Sequence, residues 1–423
     1  MYSAKIYDVL VVGAGVAGLA AGRVLAEAGK RVFLLEARNR VGGRIWSIPV
    51  PGSELPAELG AEFVHGRPPE LLSLIQEAGL RIYELDGKQI CFEQGRLQEC
   101  SSDATSSLFE ELSENGPDLS FAEWIEQKHI PGKAAQAAMN FVEGFNAADA
   151  RRIGTAALAK QQKAEDAIEG DLAFRIEGGY SALPDFLLKR FEAAGGKIRL
   201  SAPVEAIVWQ KDAVRVITQT DEFTARKCLV TLPLGVLQSG RVLFDPEPQD
   251  VMQAARRSAM GSARRITYLF REQFWKQNAV EMSFLFSDEG LPRVWWTPSP
   301  KTIPQITGWI GGPKALASEY SDDEQFAQSG LRLLAKMFSQ TEDSLRALLA
   351  GWHTHDWQRD PFSLGAYSYA PKGAVDASEA MTMSLEETLY FAGEHTDTTG
   401  HWGTVHGALG SGQRAAKQIL SAL

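Results

Sequence analysis

A glycine-rich turn directly after a buried strand is the feature that most constrains the fold of this chain. The apolar run Tyr7–Val12 has the valine-rich composition of a strand buried on both faces, and residues 13–18 follow it as G-A-G-V-A-G. A helical pattern then covers residues 19–29, and Arg31–Leu35 has the pattern of a second buried strand, ending on Glu36. The sequence therefore predicts a βαβ unit.

The residue types in this turn suit a dinucleotide. Gly13 permits the tight turn, Gly15 lets the backbone approach a pyrophosphate, and Gly18 lets the helix pack closely on the strand. The first helical turn, which contains Ala17, offers free N–H groups to the phosphate. Glu36 follows at the distance where a carboxylate takes both ribose hydroxyls, which disfavours NADP. We therefore predict a dinucleotide site, with an ordinary glycine-rich loop as the alternative.

A second glycine pair follows the predicted ribose acid. Residues 37–44 read A-R-N-R-V-G-G-R, a loop that can pass close to a bound anion, although a solvated basic loop is the alternative. In this pattern the chain resembles the flavin-containing amine oxidase superfamily, where E-x-R-x-R-x-G-G-R belongs to FAD. The resemblance implies FAD contacts from Ala37, Arg38, Gly42, Gly43 and Arg44.

The segment E-L-G-A-E-F-V-H-G at residues 58–66 extends the resemblance. In the superfamily this segment runs past the flavin ring, which implies contacts from Gly60, Ala61, Glu62 and Phe63. His65 would lie in the substrate cavity and face the ring. The alternative is a core histidine that is hydrogen-bonded to a carbonyl.

The C-terminal motifs F-A-G-E-H-T at 391–396 and T-V-H-G-A at 404–408 carry the same resemblance, and a helix is predicted from Ala408 to Leu420. Glu394, next to Gly393, would hydrogen-bond the ribityl chain. The positive end of the helix would face the flavin N1/C2=O edge. The remaining FAD contacts that the resemblance implies are Val204 (by its backbone, at adenine), Trp357, Phe362, Gly403, Thr404 and Val405.

The predicted fold class is α/β, with a Rossmann-like FAD-binding domain of the GR2 type and a discontinuous α+β substrate domain. The FAD-binding domain is assigned to residues 1–81, 176–258 and 384–423, and the substrate-binding domain to 82–175 and 259–383. Residues 82–97 are expected to form a hairpin that turns at 93–96. Residues 101–171 are expected to form a helical insertion that provides one wall and the lid of the substrate domain.

The resemblance also implies a reaction. A hydride passes from the carbon next to an amine nitrogen to flavin N5, giving an imine, and O2 or another acceptor reoxidises the flavin. Tyr367 and Thr404 stand where monoamine oxidases have two aromatic residues around the amine. Ala366 stands where those enzymes have a flavin-linked cysteine, so we expect non-covalent FAD. Arg265 occupies the usual lysine position, keeps the charge and cannot deprotonate, so the electron acceptor stays open.

The expected function is oxidation of a primary or secondary amine, including polyamines, with Arg265, His65, Tyr367 and Thr404 as the catalytic set. One alternative is an L-amino-acid oxidase, in which Arg67, Arg175 or Arg293 would hold the carboxylate. Another is a flavin-binding protein with little oxidase activity. The site resembles that of lysine-specific histone demethylases, but their coiled-coil insertion and extra N-terminal domain have no counterpart here, which disfavours a chromatin role.

Composition narrows the cellular context. The 423-residue chain has a net charge of −10, which argues against nucleic-acid binding and mildly favours a cationic substrate. No apolar stretch approaches the ~20 residues that span a bilayer, and no signal peptide precedes the first strand. We therefore expect a cytoplasmic monomer or homodimer that does not bind membranes.

The cysteines and histidines suggest neither a disulfide framework nor a metal site. The three cysteines include no C-x-x-C pair, although a cross-strand pair of Cys91 and Cys100 is geometrically possible. The histidines at 353, 355, 395, 401 and 406 lack the helical i, i+4 pairing with an acid that is typical of zinc sites.

Overall fold

The computed structural model describes residues 7–100, 106–317 and 322–423, so the predicted start of the helical insertion at 101–105 lies outside the described residues. The strands, numbered in chain order, are β1 (Tyr7–Val12), β2 (Val32–Leu35), β3 (Ser47–Ile48), β4 (Ala57–Glu58), β5 (Val64–His65), β6 (Ile82–Glu84), β7 (Lys88–Glu93), β8 (Arg96–Glu99), β9 (Ala173–Ile176), β10 (Lys197–Arg199), β11 (Val204–Gln210), β12 (Ala213–Thr218), β13 (Glu222–Val230), β14 (Leu243–Asp245), β15 (Ala259–Met260), β16 (Ala263–Phe270), β17 (Met282–Ser287), β18 (Val294–Trp296), β19 (Gln305–Gly311), β20 (Leu349–Thr354), β21 (Ser368–Tyr369) and β22 (Leu389–Phe391). The helices are α1 (Val16–Glu27), α2 (Pro69–Glu77), α3 (Ser106–Phe109), α4 (Phe121–Gln127), α5 (Gly132–Asn146), α6 (Thr155–Asp166), α7 (Ala182–Ala193), α8 (Leu234–Gln238), α9 (Gln249–Arg257), α10 (Asp323–Met337), α11 (Glu342–Leu348), α12 (Ala377–Ala380) and α13 (Val405–Ser421).

The predicted βαβ unit forms the centre of the first sheet. Strands β10, β2, β1, β13 and β22 run parallel, in the spatial order β10-β2-β1-β13, with β22 pairing on β13. The antiparallel strands β12 and β11 continue the sheet from β13, and β14 closes that edge. The β13 strand is long because its first half pairs with β12 and its second half with β1.

Both faces of this sheet are covered, as its continuous apolar strands require. Val9 and Val11 point towards α1, α7 and α13, while Leu10 and Val12 point to the opposite face, which packs on residues of α8 and α9. Helix α1 packs against α13, so the last helix of the chain lies beside the first. This arrangement brings the N-terminal and C-terminal motifs to one edge of the sheet.

The second sheet has the spatial order β20-β16-β19-β18-β17-β7-β8. Neighbouring strands are antiparallel except for β17 and β7, which are parallel. One face packs on α10 and α11 through the core around Tyr268, Trp295 and Phe326. The two sheets and the covering helices confirm the predicted α/β class with a second α+β part, while the exact domain boundaries stay a prediction.

The hairpin predicted over residues 82–97 is shorter than expected. Strand β6 leaves it and pairs with β9 in a separate three-stranded sheet with β5, because Gly87 turns the chain with a φ of 137°. The hairpin consists of β7 and β8, and its turn at Gln94 and Gly95 agrees with the prediction. Cys91 and Cys100 form a disulfide across it, so the cross-strand pair that the sequence left open is present.

Helices α3, α5 and α6 of the predicted helical insertion line the cavity between the two sheets. Helix α4 begins with a capping box between Ser120 and Glu123, and α5 ends at Ala147 in the left-handed conformation. Helix α13 begins at Val405, earlier than the predicted Ala408, because the Thr404 side chain caps it. Within the described ranges, none of the helices has the length and apolar character needed to cross a bilayer.

Candidate active site

A cavity of about 2210 Å³ lies between the two sheets. Small-molecule pockets usually measure about 300–1,000 Å³, so this cavity has room for a large cofactor together with a substrate. Its lining includes the following residues that the sequence predicts for the site: Gly13, Gly15, Ala17, Glu36, Ala37, Arg38, Gly42, Gly43, Arg44, Gly60, Ala61, Glu62, Phe63, His65, Val204, Arg265, Trp357, Phe362, Tyr367, Gly393, Glu394, Gly403, Thr404 and Val405.

Gly18 is the one predicted site residue that the structure does not place on the cavity wall. A Cβ at this position would lie 2.0 Å from the carbonyl oxygen of Gly13. Gly18 therefore allows the helix to pack closely on the strand. Nothing in the structure supports a direct contact between Gly18 and the cofactor.

The N-terminus of α1 is suited to a pyrophosphate. No side chain caps it at Gly15, and a Cβ built on Gly15 would meet no atom within 4 Å. The second glycine loop lies against it, since the Gly42 N–H donates to the Ala14 carbonyl over 2.9 Å and Gly43 approaches Gly15 closely. Uncapped N–H groups beside open space are what a phosphate requires, so the residues present fit the dinucleotide that the sequence predicts.

Glu36 is buried at the end of β2 and is held in place by two backbone groups. Its Oε2 accepts the Ala14 N–H over 2.7 Å, and its Oε1 accepts the Arg38 N–H over 2.9 Å. Burial raises the pKa of Glu36 above its ordinary value. A carboxylate has about four lone-pair sites, so each oxygen keeps capacity for one of the ribose hydroxyls.

Arg38 and Asp360 form a charge pair that the sequence did not reveal. The Arg38 Nη1 donates to Asp360 Oδ2 over 2.7 Å, and the guanidinium lies over the rings of Trp357 and Phe362. Although burial opposes it, hydrogen bonds from His355 and Arg38 lower the pKa of Asp360 below its usual range. The only indication of this pair in the sequence is that Asp360 lies between two predicted cofactor residues.

Glu394 connects the C-terminal motif to the N-terminal loop. Its Oε1 accepts from Arg44 Nη1 over 2.9 Å, and its Oε2 accepts the Ser368 hydroxyl over 2.6 Å and the Gly403 N–H over 2.9 Å. Burial alone would raise its pKa, but Arg44 and these hydrogen bonds lower it, so the group is a carboxylate. Arg44 Nη1 also donates to the Ala366 carbonyl over 2.8 Å.

Arg265 belongs to a buried group of three charges. Its Nη2 pairs with Glu62 Oε2, its Nη1 donates to the Gly60 carbonyl over 2.7 Å, and Arg175 Nη2 reaches the other oxygen of Glu62 at 2.9 Å. All three side chains are almost fully buried. Burial raises the pKa of Glu62, but the two arginines outweigh it and hold that pKa below its usual value. Arg265 is therefore a fixed cation at the cavity wall.

The three arginines considered as carboxylate ligands differ in position. Arg175 is engaged with Glu62, and Arg67 pairs with Glu169 at the surface; neither of them lines the cavity. Arg293 does line the cavity. The structure thus leaves Arg293 as the candidate among the three.

The cavity wall beside Arg265 is aromatic. The rings of Tyr367 and Trp309 are parallel, with centroids 6.5 Å apart, and the Tyr367 hydroxyl donates to the Phe145 carbonyl over 2.6 Å. His65 contacts the rings of Phe63 and Phe145 edge-on, and burial lowers its pKa to about 4. Its neighbours are therefore aromatic rings, unlike the carbonyl-bound core histidine of the alternative interpretation.

Thr404 has a different surrounding from Tyr367. Its hydroxyl accepts the Gly407 N–H over 3.0 Å as the cap of α13 and donates to the His401 carbonyl over 2.8 Å. The hydroxyl proton is therefore already engaged. Trp309 is the aromatic partner that Tyr367 has in this structure; sequence reasoning did not single it out because only the pairing of β16 with β19 places it opposite Arg265.

The open dinucleotide turn, the second glycine loop and the aromatic cavity together define a flavin-dependent oxidoreductase. The family model for flavin containing amine oxidoreductase matches residues 16–420, so the chain belongs to that family. The predicted family, the FAD cofactor and the enzyme class of FAD-dependent amine oxidase are confirmed.

Relatives and solved structures agree with this membership. Polyamine oxidase 4 of Oryza sativa subsp. japonica is 27% identical, with 97% of this chain and 88% of that protein covered. Lysine-specific histone demethylase 2 of Homo sapiens is 26% identical over 98% of this chain, which spans only 53% of the demethylase. The structure of putrescine oxidase bound to putrescine has a TM-score of 0.85 at 21% identity, covering 99% of this chain and 100% of that one, and shows the shared fold.

Proposed function

We propose that this enzyme oxidises a primary or secondary amine, including polyamines, at the carbon next to nitrogen, giving an imine that water hydrolyses. The observation that carries the proposal is the aromatic wall of Tyr367, Trp309 and His65 on the same cavity as the FAD-binding loops. FAD, when bound, supplies the acceptor for the hydride. The protein has to bind, orient and desolvate the amine.

The chain's own residues suit a neutral amine. The rings of Tyr367 and Trp309 present flat apolar surfaces, and the Tyr367 hydroxyl is held by the Phe145 carbonyl, so the ring orientation is fixed. His65 is neutral because burial lowers its pKa to about 4. This histidine therefore places no positive charge beside an uncharged amine. The aromatic rings exclude water from the reacting carbon.

The proposed FAD contacts follow the two glycine loops and the C-terminal motif. The α1 N-terminus would hold the pyrophosphate, Glu36 the ribose, the Val204 backbone the adenine, and Glu394 the ribityl chain. The fit at α1 supports the first of these, since the N-terminus lacks a cap and faces open space. Arg44 would keep Glu394 ionised and correctly placed through their contact.

Arg265 would provide a permanent positive charge next to the bound ring system. The Gly60 carbonyl and Glu62 hold its guanidinium, and Trp296 lies under it with the centroid 5.5 Å away. Arginine keeps its proton at every working pH, so this group acts by charge and by position. We expect the presence of Arg265 in place of the usual lysine to decide whether O2 or another acceptor takes the electrons.

The R265K variant tests the choice of acceptor. We expect it to raise hydrogen peroxide production relative to reduction of an artificial dye, because lysine can release its proton. R175K is the matched control, since Arg175 holds the same Glu62 but does not line the cavity. An unchanged ratio of peroxide to reduced dye in R265K would contradict a role for this position in oxygen reactivity.

An L-amino-acid oxidase is the second candidate, because Arg293 lines the cavity. A panel of amines and L-amino acids, assayed for turnover with a dye acceptor, separates the two functions. We expect turnover with amines and no change of amine preference in R293Q. Turnover confined to amino acids, with a large increase of KM in R293Q, would replace the amine proposal by the second candidate.

A further inference from the structure

We propose that Glu165, His401 and His406 form a binding site for a divalent transition-metal ion such as Zn²⁺. Among the described residues these three side chains converge, and their candidate ligand atoms all lie within 4.8 Å of one another. Glu165 comes from the end of α6, His401 from the loop before α13, and His406 from the first turn of α13. The sequence-based expectation of no metal site considered only neighbouring histidines and missed the distant acid.

Two ligand atoms are buried without a partner. The Nε2 of His406 has no hydrogen-bond partner, and this residue is only 9% exposed. The Oε2 of Glu165 is likewise buried and without a hydrogen-bond partner in the described structure. Leaving a buried polar atom unsatisfied destabilises the native state, and a charged group does so more strongly. A cation between the two atoms removes both deficits.

The third ligand, His401, is oriented by the loop before α13. Its Nδ1 lies 2.9 Å from the Thr399 hydroxyl oxygen, and that hydroxyl lies 2.8 Å from Asp397 Oδ1. The Asp397 carboxylate is the stronger acceptor, so the Thr399 hydroxyl donates its one hydrogen bond to it. The Thr399 oxygen therefore accepts from His401 Nδ1–H. Nε2 is therefore the nitrogen of His401 that would bind the metal ion. Metal-bound histidines typically donate their other ring N–H in this way.

A backbone carbonyl lies beside His401 Nε2. This nitrogen is 3.2 Å from the Ala164 carbonyl oxygen, which can only accept, so without a metal ion the contact is a hydrogen bond that metal binding would replace. Asp397 Oδ1 also accepts the backbone N–H groups of Thr399, Gly400 and His401, which fixes the loop. The histidine is therefore held in place next to Glu165.

The donor set selects the class of ion. Two imidazole nitrogens and one carboxylate oxygen suit Zn²⁺ and similar first-row ions, whereas Ca²⁺ and Mg²⁺ prefer oxygen ligands. Zinc lies about 2.0–2.2 Å from such ligands, and this distance sets how closely the three groups have to surround one ion. Glu165 and His406 line the same cavity as Thr404 and Val405, so the ion would connect α6 to the first turn of α13.

Calorimetric titration of ZnCl2 into chelator-treated, tag-free holoenzyme tests this inference independently of amine turnover. We expect saturable binding of one ion per chain, weakened at least tenfold in both E165Q and H406Q. D166N is the matched control, because the Asp166 side chain accepts from Gln162 and is not part of the cluster. It should bind Zn²⁺ like the unaltered protein.

Absence of stoichiometric binding, or equal binding by the unaltered protein and both variants, overturns the site. If either variant fails to fold, anomalous diffraction at the zinc edge from the unaltered holoenzyme decides. An ion between Glu165, His401 and His406 supports the inference, and an ion elsewhere or none contradicts it. If a diamine ammonium occupies the cluster and Zn²⁺ does not bind there, the site is a substrate site and the metal assignment is wrong.

Discussion

Arg44 and Glu394 meet across the cavity, with 2.9 Å between Nη1 and Oε1, although 350 positions separate them in the chain. The Glu394 side chain is 5% exposed and that of Arg44 is 23% exposed. The contact joins the second glycine loop to the C-terminal motif. Each motif contributes one wall of the proposed FAD site, so the pair connects the two parts of the chain that have to close around the cofactor.

The E394Q variant should lower FAD retention and stability. It removes the negative partner of Arg44 and changes an acceptor of the Ser368 and Gly403 groups. We expect a loss of about 1–3 kcal/mol in unfolding free energy and a lower ratio of FAD to protein after gel filtration. E342Q, at an exposed surface pair with Arg346, is the control and should behave like the unaltered protein. Full FAD retention in E394Q would show that the pair is not needed.

FAD should be released by acid precipitation of the protein. Ala366 lines the cavity and, by the resemblance to monoamine oxidases, takes the position of their flavin-linked cysteine, so this position offers no thiol for a covalent bond. The flavin absorbance of the supernatant, compared with the total before precipitation, measures the released fraction. Colour that stays with the precipitated polypeptide would contradict non-covalent binding.

Catalytic efficiency should rise with pH as the neutral form of the amine becomes more abundant, because an ammonium has no lone pair to assist loss of hydride. His65, with a pKa lowered to about 4 by burial, stays neutral above about pH 6. It therefore adds no second ionisation to the pH dependence of catalytic efficiency in that range. The pH profile of kcat/KM for amines of different pKa provides the measurement. A profile that does not shift with the pKa of the amine would argue against this requirement.

His395 should make the protein sensitive to acid. It is 2% exposed, and burial lowers its pKa from 6.5 to about 4. The unfolded chain therefore binds a proton here at a pH where the native protein does not, so stability is full above about pH 6.5 and falls as the pH approaches 4. The loss between about pH 7.5 and pH 5 is about 2 kcal/mol. The melting temperature of H395Q should decline less over this interval than that of the unaltered protein. An equal decline in the two proteins would exclude the effect.

The first βαβ unit and its glycine turn could be predicted because their signals are local. A buried strand, a turn with Gly13 at positive φ and a helix are each encoded within a few residues, and β1, α1 and β2 form as expected. The C-terminal motif was recognised by resemblance, and α1 packs on α13 as the meeting of the two motifs requires. Together these features are enough to predict the fold class and where the cavity lies.

Contacts between distant segments could not be predicted in the same way. Asp360 reaches Arg38, and Arg175 reaches Glu62, only after several strands have paired. Trp309 faces Arg265 because of the register between β16 and β19, which no local pattern encodes. The predicted hairpin begins too early because the sequence of Ile82–Glu84 has a strand pattern but does not show that its partner is β9.

Anaerobic addition of an amine to the purified protein tests the central claim most directly. If this chain binds FAD between its two glycine loops and the C-terminal motif and oxidises amines, the visible flavin absorption will bleach with one equivalent of a suitable amine, and the matching aldehyde or ketone will appear in equal amount. Purified protein that carries no flavin, or flavin that stays oxidised with every primary, secondary and polyamine substrate tried, would contradict the account.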